Sequence, residues 1–328
     1  MNDDKSSEAR QPSGRAKVER SEATERAGES SEARQRHGRA KVERSEATER
    51  AGGAREPASS IDVHVHLHPE RLARAISEVF ARDGWSPLHP WDPEQVADTL
   101  AEHGVERFCF FSYAHKPGIA RSLNAWIAQT ARRLPRGIPV GTVHAGDSDI
   151  LAIANEAIDQ GVAGFKFHLS VQRFRADDAR LMPFYERVAE QDRFLVVHAG
   201  TMPYRDPFTG LEGFRAVMAR FPSLRVIVAH LGGFETEGFL ALTESSPNLY
   251  LDTTMTLTPL ADPYLGGDAD AIPTELLLKY QDRIMLGSDF PLIPYPYEEE
   301  RSFVHRRALP ESVARKMLHD NAVRFLRL

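Results

Sequence analysis

The sequence predicts an α/β protein folded as a (β/α)8 TIM barrel, and three observations predict it. Eight short apolar runs alternate with amphipathic stretches over about 270 residues, close to the ~250 typical of that barrel. The runs are rich in Val, Ile and Phe and bounded by Gly, Pro, Asp or Ser, as strands buried in a parallel sheet are. No G-x-G-x-x-G turn follows the first run, which weighs against an open, doubly wound sheet.

In chain order, the apolar runs lie at 61–67, 107–113, 138–143, 164–168, 194–198, 225–230, 249–252 and 284–288. Helical patterns fall between them at 71–82, 93–103, 119–134, 149–160, 177–191, 211–220 and 273–280. Asp92 before Pro93 reads as an N-cap followed by proline at the first helical position. Gly104 and Gly161 stand where helices of this kind end.

Residues 1–59 are of another kind. They are dominated by Glu, Arg, Ala and Ser, and GRAKVERSEATERAG at 14–28 recurs identically at 38–52. Only Val18 and Val42 break the polar background of the repeat, so it can bury too little to offset its ordering entropy. The expectation is a disordered N-terminal tail over 1–59 and one catalytic barrel over 60–328. The tail fits neither a secretory signal nor an organelle transit peptide, and no chemistry is assigned to it.

Composition narrows the function. The 328 residues are 41% hydrophobic with a net charge of −6 and a pI near 6.1, which argues against binding polyanionic nucleic acids or membrane surfaces. Cys109, the single cysteine, sits inside an apolar run and reads as a small buried hydrophobe, leaving no disulfide framework or thiolate cluster. No apolar stretch approaches the ~18 residues of a membrane span, so a reducing compartment such as the cytoplasm is expected.

The histidines carry the chemistry. Of 13 in the chain, His64, His66, His68, His144, His168, His198 and His230 sit on or just past the apolar runs, and Asp289 follows the eighth. Every strand of such a barrel ends at one mouth, so these residues converge there. His64 and His66 are two apart and share a face, and two imidazoles packed together need something to use their lone pairs, as a divalent cation does. His198 in FLVVHAG and His230 in VIVAHLGG repeat the arrangement on neighbouring strands. Asp289 in GSDFP can bind a cation, take a proton from water, or cap the following turn. Asp252 is a candidate acceptor for a ligating imidazole. Lys166 and His168 in GFKFHLS share a face. Lys166 there can bind a substrate carboxylate or, carbamylated, bridge a second metal; the plainer alternative turns Phe165 and Phe167 to the core and leaves Lys166 paired at the rim.

Together these pieces resemble the amidohydrolase superfamily, and most closely its amidohydrolase-2 branch of metal-dependent TIM-barrel enzymes, which includes aminocarboxymuconate-semialdehyde decarboxylase. The resemblance rests on DVHVH at 62–66, VVHAG at 196–200, VAHLGG at 228–233, GSDFP at 287–291 and HDNAVRFL at 319–326. It implies that His64, His66, His198 and Asp289 ligate one divalent metal, zinc first and manganese second, and that His230 is an acid/base beside it. Lys166 departs from the decarboxylase pattern; a carbamylated lysine would imply two ions. No organic cofactor is expected.

The leading expectation is hydrolysis of a small organic substrate by metal-activated water, with Asp289 taking the proton and His230 assisting the leaving group. The alternatives are non-oxidative decarboxylation in the same site, for which Arg173, Arg175 and Arg205 are candidate carboxylate binders, and a non-catalytic binding barrel. Substrate choice falls to the aromatic, Pro-rich loops near 85–91, 203–208 and 291–297. The resemblance also leaves room for a homodimer.

Overall fold

A computed structural model of the chain describes residues 59–328 apart from Asp83 and Tyr204; the segment expected to be a disordered tail lies outside the described residues. Eight parallel strands run in sequence order around the sheet: β1 Ser60–His66, β2 Val105–Phe111, β3 Gly137–Gly141, β4 Gly164–His168, β5 Phe194–His198, β6 Arg225–Val228, β7 Leu249–Asp252 and β8 Ile284–Met285. The ring closes through the chain just past β8. Val63 N–H donates to Leu286 O at 2.9 Å, Asp289 N–H to His64 O at 2.9 Å, and His66 N–H to Phe290 O at 2.8 Å.

β8 is shorter than the run at 284–288 predicts, because its ladder is interrupted from outside. The N–H of Leu286 donates to Met317 O at 2.8 Å, inside the π-helical turn Lys316–Asp320. Asn321 follows that turn, and its amide donates to Gln281 O at 2.7 Å and Ile284 O at 2.8 Å. The HDNAVRFL ending is thus a clamp on the last strand.

Helices separate the strands much as the periodicity predicts. Asp92 caps Pro93–Glu102 by accepting from Glu94 N and Gln95 N, and Gly104 and Gly161 take the left-handed φ of +74° and +93° that ends their helices. The helix expected over 177–191 is a 3-10 turn, Ala179–Leu181, running into Met182–Glu190, because Asp178 caps the turn and Pro183 enters the next. Thr236–Leu242, between β6 and β7, has no counterpart in the sequence reading; seven residues are too few to establish a helical period.

The core has two layers. Outward strand residues such as Phe108, Phe165, Phe167, Val197 and Val226 pack against the helices. Inside the barrel, Ile61, Val63, Cys109, Phe111, Val140 and Val196 form an apolar floor sealed by Phe325 of the last helix. Cys109 is fully buried there. β1 changes face within this floor: Asp62 pairs with Phe108 but Val65 with Phe110, so β1 carries one extra residue. After that bulge Val65 joins the outer layer, and His64 and His66 point inward on top of the floor.

Two loops at the mouth touch backbone to backbone. A Cβ on Gly200, at the end of VVHAG, would stand 2.1 Å from Gly232 O, and no side chain can move aside to admit it. Gly200→Ala is therefore expected to destabilise the barrel by about 1–3 kcal/mol, read as a lower urea midpoint at unchanged m-value.

Candidate metal centre

Five of the polar side chains above the floor form one connected group. His64 Nδ1 lies 2.8 Å from Asp252 Oδ2, and its Nε2 lies 2.8 Å from Asp289 Oδ1. The same Asp289 oxygen is 3.2 Å from His66 Nε2, and Lys166 Nζ is 3.0 Å from His64 Nε2. His64, His230 and Asp289 offer ligand atoms all within 4.8 Å of one another. Phe111 is the seam between floor and site, with its ring 5.0 Å from His64, 4.9 Å from His66 and 4.5 Å from Lys166 Nζ.

The backbone is bent to deliver two of these groups. His230, Leu231, Gly232 and Gly233 take φ of +57°, +48°, +81° and +63° in succession, which explains the glycine pair in VAHLGG. His230 and Asp289 (φ +64°) hold left-handed conformations at a cost of about 1–3 kcal/mol each, retained only where neighbours enforce them. Here they do: His230 N–H donates to Asp252 Oδ1 at 2.9 Å, and Asp289 N–H to the His64 carbonyl. The Asp252 carboxylate thus holds His64 through its ring and His230 through its backbone N–H.

Burial sets the protonation of the group. It lowers the pKa of His66 to about 4 and keeps His230 low, that of His198 and His168 well below the usual range, so these imidazoles keep their lone pairs. His64 goes the other way: burial and Lys166 push it down, but the carboxylates of Asp252 and Asp289 lift it above its ordinary value. Burial opposes charge on Asp289 too, yet the surrounding imidazoles of His64, His230 and His66 hold it well below the usual carboxylate range. Burial lowers Lys166 to about 8, against the pull of Asp289 and Asp252.

The remaining candidates fall nearby or away. His198 donates through Nε2–H to Met202 O, 2.7 Å away, and stacks on His168 at 4.1 Å, so only its Nδ1 is open to the group. Lys166 lies fully buried inside the barrel rather than paired at the rim, and Phe165 and Phe167 face the helix layer. His144 accepts from Gly146 N and meets Phe174 edge-on, in its own loop. Arg175 is committed to Asp177, Arg205 lies over Phe234, and Arg173 is exposed.

Sequence reasoning missed several supports. Asp62 accepts from the backbone N–H of His64, from Ser288 and from Tyr297, and burial still pushes its carboxyl up to about 6. Tyr113 stands edge-on to His66 and His68 and tilted against His168, over the top of the group. A cavity of about 420 Å³ opens beside the site between the loops after β5, β6 and β7, bounded in part by Met202, Gly233 and Met255.

The donor set suits a divalent cation. One ring nitrogen of His64 faces both a carboxylate and an amine, and its single lone pair or proton cannot serve both; a cation shared by the group can. His66 Nδ1 is also buried without a hydrogen-bond partner among the described residues.

In metal-free protein, Asp252→Asn should lower the pKa of His64, since it removes one of the two carboxylates that lift it. Histidine ¹⁵N NMR titration reads this, and an unchanged His64 would show that Asp252 plays no such part.

A family model described as Amidohydrolase matches residues 61–328. Among solved structures, an uncharacterised TIM-barrel protein of Bordetella bronchiseptica is similar at a TM-score of 0.63 and 22% identity, covering 82% of this chain and 98% of that one. An amidohydrolase of Burkholderia multivorans with bound HEPES is similar at 0.60 and 19%, covering 83% and 100%. The 5-carboxyvanillate decarboxylase of Novosphingobium aromaticivorans, solved with manganese and 4-hydroxy-3-methoxy-5-nitrobenzoic acid, is similar at 0.59 and 17%, covering 84% and 98%.

Proposed function

This chain belongs to the amidohydrolase family, and on that premise we propose that it is a metal-dependent hydrolase of a small organic substrate. The observation that carries the reading is the convergence of His64, His230 and Asp289 at the barrel mouth, with Asp252 fixing His64 from behind.

His64, His66, His198 and Asp289 would hold one divalent ion, zinc or manganese, with His198 offering Nδ1 because its Nε2 is engaged by Met202. Such an ion, when bound, lowers the pKa of water from about 16 toward about 7 and polarises a substrate oxygen. Asp289, held ionised, takes the proton that the attacking water gives up. His230 has Nδ1 3.2 Å from Thr254 O, so Nδ1–H donates there and Nε2 presents its lone pair to the site. Nε2 takes that proton from Asp289, which returns to its ionised form, and delivers it to the leaving group. The enclosing Tyr113 and the buried floor keep bulk water from the reacting bonds.

The second reading is non-oxidative decarboxylation. The fold likeness to 5-carboxyvanillate decarboxylase favours it, and Lys166 is a buried amine that could receive a carboxylate. Against it, Arg175 and Arg205 are engaged away from the histidines. Carbamylation of Lys166 would add a second ion. A small-molecule substrate and a cytoplasmic location complete the proposal.

Elemental analysis of the purified protein tests the assignment. About one zinc or manganese per chain is expected, lost in a His64→Ala/His66→Ala double variant. His230→Ala should keep its metal and lose about 10²–10⁴-fold in turnover, the range for a general acid/base. Metal lost with His230→Ala would make His230 a ligand instead. Metal retained in full by the double variant would refute the ligand set.

A further inference from the structure

The alternation that puts His64 and His66 in the site continues one step further, to His68. Its ring is 2% exposed, its Nδ1 lies 2.8 Å from Ser112 Oγ, and its Nε2 is buried with no hydrogen-bond partner among the described residues. A buried imidazole nitrogen left unmade costs about 1–3 kcal/mol, so it calls for a partner from outside the chain. None of the roles assigned above uses it.

The surroundings of that nitrogen are aromatic. Tyr113 meets His68 edge-on at 6.0 Å and also meets His66 at 5.9 Å and His168 at 5.3 Å, while Trp91 flanks His68 at 6.2 Å. These flat walls suit a flat guest. The chain is still extended here, since Leu67 N–H pairs with Phe111 O at 3.0 Å. The rings of His66 and His68 are 5.5 Å apart, so a group held at His68 and reaching past His66 to His64 is about the size of a substituted six-membered ring.

We propose that His68 is a specificity residue: its Nε2 hydrogen-bonds an oxygen substituent on a planar ring whose opposite end is delivered to His64 and Asp289. The Ser112 hydroxyl can donate to or accept from Nδ1, so it admits either tautomer of His68. A ring hydroxyl satisfies Nε2 either way, since it both donates and accepts. The inference rests on the mouth being the active site, and it adds what the substrate must carry at its far end.

The test is calorimetric binding of benzoate, 3-hydroxybenzoate and 4-hydroxybenzoate to the purified protein, with metal content measured on every sample. One hydroxylated ligand should bind about tenfold tighter than benzoate, the return expected for satisfying a buried polar group. His68→Phe keeps a flat ring and loses the nitrogen; it should erase that preference while benzoate binding and metal content stay within about twofold. His68→Gln, which keeps a hydrogen-bonding group, should restore part of it. A preference that survives in His68→Phe, or no preference in the parent protein, overturns the proposal and leaves the nitrogen to a water. Metal loss in His68→Phe overturns it by making His68 a metal ligand. Intact metal with no binding of any benzoate overturns the ring chemistry while the hydrolase reading stands. A parent protein without metal removes that reading, and the three-ligand comparison still decides the role of His68.

Discussion

The site depends on where the barrel closes. A hydrogen bond from Asp289 N–H to the His64 carbonyl ties the chain after β8 to β1, and the side chains of the same two residues meet 2.8 Å apart above it. Backbone closure and site assembly are therefore one event. The clamp of Asn321 on β8 and the diversion of Leu286 to Met317 hold the last strand, and with it Asp289, from outside. Changes in the last helix thus reach the histidines through the backbone.

The electrostatic logic follows from burial. Two carboxylates, Asp252 and Asp289, are enclosed among imidazoles that burial keeps mostly neutral, so the charge that balances them falls to His64 and Lys166. A divalent cation in the same place would take over that balancing and release protons from them. Cation affinity and proton binding are in this way coupled, and the positively charged groups of the metal-free protein hold the place of a harder charge.

Much of this was legible in the sequence, for physical reasons. Buried parallel strands need short β-branched and aromatic runs, so all eight could be read, and strand ends of a barrel share one mouth, so His64, His66, His198, His230 and Asp289 could be grouped without a structure. Asp252 could be picked out because it ends a strand beside them. What could not be read depends on contacts between distant residues. The approach of Gly200 to Gly232 is a tertiary distance, and the helix Thr236–Leu242 is too short to show a period. Asp62 meets Ser288 and Tyr297 across the closure of the barrel, from the far end of the sequence. Lys166 was the open case: both phenylalanines beside it are as apolar as a floor residue, and only the register with Val196 decides which way the lysine turns.

The extra residue in β1 has a further meaning. Were the same residues paired in regular register, the side chains that continue the alternation of Ile61 and Val63 would be Val65 and Leu67, and the barrel would hold a dry, regular, better-paired strand in place of three imidazoles. Sheet regularity and chemistry compete for the same stretch of chain, and the sequence concedes regularity. The address of the site is written as a counting error of one: the same stretch of sequence laid in regular register would keep the barrel and be chemically mute.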